Sequence, residues 1–114
     1  MSLKFDCIFY YVSNLEAAIR FYVDILGFKL LSKDIVARFD IDGVRFELVP
    51  TEKKDKLSGK GNARLCLETD NIDQTVAELR SKGVSVDDPR DVENGRISSF
   101  LDLDGNEICL WQYL

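Results

Sequence analysis

Apolar and polar positions along the chain follow two periods, and the same succession of periods occurs twice. From Cys7 to Val12, the residues Ile8, Tyr10 and Val12 alternate with Cys7, Phe9 and Tyr11. Period two predicts a strand, over about 4–11. Leu15, Ala18, Ile19, Tyr22, Ile25 and Leu26 then recur at helical spacing and predict an amphipathic helix with Tyr22 packed on its inner stripe. Ser13 and Glu16 form an S-x-x-E capping box at its start, and Gly27 stands where a left-handed cap ends a helix. Strands follow over 28–33, 35–41 and 44–49, the last two joined by Asp42-Gly43, a hairpin signal. After a polar stretch the order returns. A strand is expected over about 63–69, then a helix from near Asp70 to Gly83 with Ile72, Val76 and Leu79 on one face. Strands over about 84–88, 96–103 and 107–113 complete the chain, with turns at Asn94-Gly95 and Asp104-Gly105 and an irregular stretch at Pro89.

The two halves match residue by residue. In VSNLEAAIRFYVDILG (12–27) and TDNIDQTVAELRSKG (69–83), Asn14 answers Asn71, Leu15 answers Ile72 and Glu16 answers Asp73. DGVRFEL at 42–48 is echoed by DGNEICL at 104–110. The fold class is therefore α+β, two tandem βαβββ modules with the aliphatic face of each sheet lying under its helix. One domain spans 1–114, with module one at about 4–50, a linker at 51–62 and module two at about 63–114. The linker, TEKKDKLSGKGN, carries Lys53, Lys54, Lys56 and Lys60 as a solvated charge run.

A two-residue loop at Asp42-Gly43 fixes the pairing of its strands. Ile41 then faces Val44, Phe39 faces Phe46 and Ala37 faces Leu48, an apolar face destined for the helix. The opposite face pairs Asp40 with Arg45 and Arg38 with Glu47, matching opposite charges. Extended to the other strands, this second face gathers aromatics (Phe9, Tyr11, Phe100, Trp111), thiols (Cys7, Cys66, Cys109) and charges (Arg38, Glu47, Arg64, Glu68). Apolar walls with a few placed polar groups are the composition of a ligand cavity. A solvated sheet face or an oligomer contact is the plainer alternative.

Composition removes several functions. With 15 Lys plus Arg against 20 Asp plus Glu, the net charge is −5, and the basic footprint of a nucleic-acid binder is absent. There is no His, the commonest metal ligand and neutral-pH base. No apolar run reaches membrane-spanning length, and no signal-peptide pattern opens the chain. Three unpatterned cysteines argue against a disulfide framework and fit a reducing cytoplasm, where their default role is as small buried hydrophobes.

YVSNLEAAIRFYVDILGFKLL in the first half and FLDLDGNEICLW in the last hairpin resemble the glyoxalase, bleomycin-resistance and extradiol-dioxygenase superfamily, also called vicinal oxygen chelate. The likeness runs over about 4–113; the family's D-P-D-G-N stands here as Asp102-Leu103-Asp104-Gly105-Asn106. The resemblance implies that the two modules form curved mixed sheets around a concave cup with the helices on the outer face, and enzymes of the family hold a divalent metal there by His and Glu from the first and last strands of each module. The resemblance carries those positions onto Cys7, Glu47, Arg64 and Cys109, of which Glu47 alone matches the usual ligand. Arg64 has no lone pair to offer a metal, and pairing with Glu47 is expected instead.

The resemblance thus implies a small-molecule-binding member that uses no metal or other cofactor. It would sequester a ligand in the cup as a homodimer, with Cys7, Phe9, Tyr11, Arg38, Glu47, Arg64, Glu68, Phe100, Cys109 and Trp111 as the ligand-binding set and no catalytic residue. Stacking aromatics and acids suit a flat or cationic ligand, whereas Arg38 and Arg64 suit a carboxylate or phosphate. Two enzyme readings compete with it. One is a glyoxalase-like lyase, isomerase or dioxygenase with an atypical metal site; the other is a thiol enzyme using Cys7 or Cys109 beside Arg64. A third reading makes the mixed face an interaction surface. Exposed sheet edges give a physical motive for dimerisation in every case.

Overall fold

The computed structural model describes residues 1–2, 4–57 and 63–114; Lys60 and the end of the linker lie outside the described residues. The chain divides into two units, Met1–Leu57 and Ser58–Leu114. Each contains one four-stranded mixed sheet and one helix, an α+β plan repeated in tandem.

Unit one runs β1 (Ile8–Val12), α1 (Leu15–Arg20), β2 (Lys29–Lys33), β3 (Ala37–Ile41) and β4 (Val44–Pro50). Unit two runs β5 (Leu65–Glu68), α2 (Ile72–Ser81), β6 (Arg90–Val92), β7 (Gly95–Leu101) and β8 (Glu107–Tyr113). The sheet orders are β1-β4-β3-β2 and β5-β8-β7-β6, with β1 parallel to β4 and β5 parallel to β8. A helix between the first strand and the sheet's interior is what a parallel pairing requires. Every other pairing is antiparallel.

The helices start on asparagine. Asn14 Oδ1 accepts from the Ala17 N–H at 3.0 Å, and Asn71 Oδ1 accepts from the Gln74 N–H at 3.1 Å. The cap is therefore Asn14 and not Ser13; with Ala17 at the third helical position it is a single-sided cap and not the expected Ser13–Glu16 box. After Arg20 the helix widens into a π turn, Phe21–Ile25, where the Leu26 N–H reaches back to Phe21 O at 3.2 Å. The turn ends at Gly27, whose φ of +77° favours glycine.

The hairpin at Asp42-Gly43 has positive φ at both positions and pairs Ile41 with Val44, Phe39 with Phe46, Arg38 with Glu47 and Ala37 with Leu48. This is the register the sequence predicts. Ala37, Phe39, Phe46 and Leu48 are buried with Val12, Ala18, Phe21 and Tyr22. In unit two, Leu65, Phe100, Ile108 and Leu110 are buried with Ile72, Val76 and Leu79.

Unit two departs from expectation in three places. The expected sixth strand at 84–88 contributes a single bridge, Val86 to Phe100; β6 itself lies after Pro89, at Arg90–Val92. Gly95 opens β7 and pairs with Val92, so the turn residues are Glu93 and Asn94, the latter at φ 68°. The loop between β7 and β8 is longer than two residues, because Leu101 pairs with Glu107. Asp102 closes it: its carboxylate accepts from the Asp104 and Asn106 N–H groups, both at 2.9 Å, and from Asn106 Nδ2 at 2.8 Å. A two-residue turn at Asp104-Gly105 would set Phe100 opposite Cys109. The longer loop shifts the register by one and turns every β7 side chain to the other face.

Candidate functional site

The mixed face of unit one is built by β1, β4 and β3. Phe9 pairs with Glu47, which pairs with Arg38, so these three form a row across the sheet. Tyr11 stands one step along, paired with Val49. Phe9 is 46% exposed and meets the Tyr11 ring edge-on at 5.2 Å. Lys56 Nζ lies 5.0 Å from the centre of the Tyr11 ring, a cation–π contact from the linker's first turn. Arg38 is shared between Asp34, at 3.0 Å, and Glu47, at 3.9 Å. Cys7 precedes β1, and its sulfur, an Asp6 oxygen and a Glu47 oxygen lie within 4.8 Å of one another. Asp6 escaped the sequence reading because it stands before the strand's alternation begins. Its carboxylate also sits 3.5 Å from Arg45.

Unit two presents the equivalent row. Cys66 pairs with Cys109, which pairs with Ser99, and Glu68 pairs with Trp111, which pairs with Ile97. Position for position, Phe9–Glu47–Arg38 in unit one is Cys66–Cys109–Ser99 in unit two. Phe100 does not join this face. It is 3% exposed, pairs with Ile108 and packs in the apolar layer, the consequence of the loop that shifts β7. Ser99 and Ile97 take its place, and the signal that finds them is the length of the Asp102–Asn106 loop. Asp87, Arg90, Ile97, Ser99, Glu107 and Cys109 line a cavity of about 320 Å³. The Ser99 hydroxyl donates to the Asp87 carboxylate at 3.0 Å.

Trp111 is half-buried, and its indole N–H is buried with no hydrogen-bond partner among the described residues. The ring lies against Gly95, where a Cβ would stand 2.7 Å from Trp111 Cζ2 and 2.4 Å from the Gln112 carbonyl oxygen. Arg64 is ion-paired through Nε to Glu107 and donates to the Ala63 carbonyl at 3.3 Å. The expected Arg64–Glu47 pair would link residues of different units and is not tested by the contacts within each. Within its own unit each residue has a different partner, Glu107 for Arg64 and Arg38 for Glu47.

The thiols are not the small buried hydrophobes expected, since Cys66 is exposed and Cys7 and Cys109 are half-buried. All three are nonetheless held above the ordinary thiol pKa. Desolvation is the first cause at each; negative charge from Glu47 and Asp6 adds to it at Cys7, and charge from Glu107 and Cys66 adds to it at Cys109, opposed by Arg64. The protonated thiol is thus favoured by the fold. That stabilisation is present below the ordinary thiol pKa and is lost as pH rises through the raised one. Alkylation by iodoacetamide, followed by mass spectrometry, is expected to be slower in the folded chain than in the urea-unfolded chain at pH 8. Its pH profile should be displaced to the alkaline side; equal profiles would contradict the assignment.

The resemblance carries metal-ligand positions onto Cys7, Glu47, Arg64 and Cys109. Glu47 offers a hard oxygen and Cys7 and Cys109 offer soft sulfurs, but Arg64 is a cation without lone pairs. The set does not fit a hard divalent ion, which prefers carboxylate, carbonyl and water oxygens.

The sequence profile of the Glyoxalase/Bleomycin resistance protein/Dioxygenase superfamily matches residues 4–110. The chain belongs to this superfamily. Among solved structures of similar fold, TnmS3, an antibiotic binding protein from Streptomyces sp. CB03234, is 31% identical; the match covers 100% of this chain and 99% of that one at a TM-score of 0.77. The fosfomycin resistance protein FosX from Listeria monocytogenes is 18% identical over 100% and 96% of the two chains, at 0.82. Lactoylglutathione lyase from Agrobacterium tumefaciens is 16% identical over 96% and 92%, at 0.76. The last two share the fold. Among curated proteins, none matches the chain. Glyoxalase-superfamily membership accounts for the duplication, for the Asp-Gly-Asn hairpin and for the matching rows of the two units.

Proposed function

We propose that the protein binds a small organic molecule on its mixed sheet faces without a divalent metal, as a ligand-sequestering member of the superfamily. The observation that carries this reading is Arg64. It occupies a position where the superfamily's enzymes place a metal ligand, and it is neutralised by Glu107 rather than by an anionic cofactor complex. Three further features support it. The full-length likeness to an antibiotic binding protein stands at 31% identity. The unit-two face holds a cavity of about 320 Å³, within the size range of small-molecule sites. The aromatic surface of Phe9, Tyr11 and Trp111 suits a flat, apolar ligand body.

The charges beside these rings are largely paired: Glu47 with Arg38, Arg64 with Glu107. Selection would then rest on stacking and shape more than on ligand charge. The working form is a homodimer, supported by the exposed edge strand β1 with Phe5, Ile8 and Phe9 in the open. Among the described residues, no helix is long and apolar enough to cross a membrane.

Trp111 is the sole tryptophan, so its emission reports on the face directly. Titration with bleomycin, or with a panel of planar aromatic antibiotics, is expected to quench it saturably and equally with and without EDTA. Sedimentation should show a dimer. No saturable quenching across the panel would count against the proposal.

A second reading rests on the Asp6, Cys7 and Glu47 donors within 4.8 Å of one another. It makes the protein a glyoxalase-like lyase, isomerase or dioxygenase with an atypical metal site drawn from unit one. Binding or turnover that EDTA abolishes and Mn(II) restores would establish it over the first.

A further inference from the structure

Cys66 and Cys109 are in direct register on adjacent parallel strands, on the face that also carries Ser99 and Arg64. Neither forms a disulfide; Cys66 is exposed and Cys109 borders the cavity. Side chains in register on parallel strands rise side by side, so their Cβ atoms stand near the strand spacing of about 4.8 Å. A disulfide requires Cβ atoms roughly 3.8 Å apart. The pair is therefore set too wide for an easy S–S bond. It suits an ion held between the sulfurs, because two metal–thiolate bonds of about 2.3 Å placed in line span close to that spacing.

The surroundings decide the kind of ion. Among the described residues, no third thiol or carboxylate stands close enough to these two to complete a cluster; the one such cluster is Asp6, Cys7 and Glu47 in the other unit. Glu107, two residues from Cys109 on the same face, is engaged by Arg64. Zinc in structural sites takes four ligands and is poorly served here. Soft thiolates with low coordination number select Cu(I)-like cations. A bis-thiolate complex of a monovalent ion keeps one negative charge, where two bare thiolates side by side would carry two.

We infer that Cys66 and Cys109 form a two-coordinate site for a soft monovalent cation of the Cu(I) class. On binding, two S–H bonds break, two metal–sulfur bonds form, and two protons pass to solvent. No oxidant or reductant is required. Uptake strengthens as pH rises, because the protons must leave. The site shares Cys109 with the cavity of the organic-ligand reading, but its test reads copper alone and so survives that reading's failure.

The test delivers Cu(I) under nitrogen as its coloured bicinchoninate complex and reads the loss of colour. The intact chain is expected to withdraw copper stoichiometrically. Cys66→Ser and Cys109→Ser should each lose that uptake, while Cys7→Ser should retain it. Absence of uptake by the intact chain, retention by either of the first two variants, or loss in Cys7→Ser would overturn the inference. X-ray absorption on the copper-loaded intact chain gives an answer that needs no variant. Two sulfur neighbours support the site, and oxygen or nitrogen in the first coordination sphere overturns it.

Discussion

Phe46→Ala is expected to destabilise the protein by about 3–5 kcal/mol, the largest effect of any single truncation proposed here. Phe46 is 1% exposed at the middle of β4. Its ring meets Tyr10 at 5.6 Å, Tyr22 at 5.3 Å, Phe39 at 6.1 Å and Phe28 at 6.2 Å, so truncation opens a cavity walled by four aromatic rings. Rigid rings collapse poorly into a void, which places the cost toward the upper part of that range. Domains of this size have roughly 5–15 kcal/mol in total, so the variant stands near the limit of folding. Urea denaturation measures it. Phe9→Ala, on the opposite face and 46% exposed, is the control and should cost much less. Comparable losses for the two variants would mean that the apolar and mixed faces of unit one are wrongly assigned.

Gly95→Ala should be the most damaging single-methyl change. The new Cβ would lie 2.4 Å from the Gln112 carbonyl oxygen, a backbone atom that cannot swing away, and 2.7 Å from the Trp111 ring. Either β7 separates from β8 or the indole moves. Overpacking of this kind costs about 1–3 kcal/mol. The indole N–H is buried and unpartnered among the described residues, so displacement toward water satisfies it and should shift Trp111 emission to the red. An unchanged spectrum with unchanged stability would show that the ring does not rest on Gly95. A red shift accompanied by loss of antibiotic quenching would tie the ring's placement to binding.

The fold was legible wherever the chain's chemistry is local. The Asp42-Gly43 dipeptide with positive φ at both residues defines its own loop length, so the β3–β4 register and the face of each residue follow from sequence. The duplication supplied the rest of the topology, since Asn14 and Asn71 cap equivalent helices. What failed was local chemistry that needs side-chain geometry. The loop Asp102–Asn106 contains an Asp-Gly pair that reads as a tight turn. Three hydrogen bonds to the Asp102 carboxylate make it a longer one, and one residue of register moved Phe100 into the core and Ser99 onto the face. The pattern over 84–88 reads as a strand that Pro89 ends, whereas that segment makes only the Val86 bridge and the paired strand follows Pro89.

The candidate site was legible in composition and less so in pairing. The strands place Phe9, Arg38, Glu47, Cys66, Cys109 and Trp111 as alternation requires. The partner of Arg64 was not accessible that way. Its pairing with Glu107 lies within unit two, and an ion pair is decided by side-chain reach rather than by period. Asp6, before the first strand, likewise has no periodic neighbour to announce it.

Electron paramagnetic resonance of Mn(II) titrated into the protein tests the central claim most directly, because the hard ion seeks oxygen ligands and leaves the thiol pair aside. If Arg64 and soft sulfurs stand where a hard metal's ligands would, the signal of the free aqueous ion persists undiminished at stoichiometric protein. Loss of that signal in the intact chain, recovered on Glu47→Gln, would contradict the account.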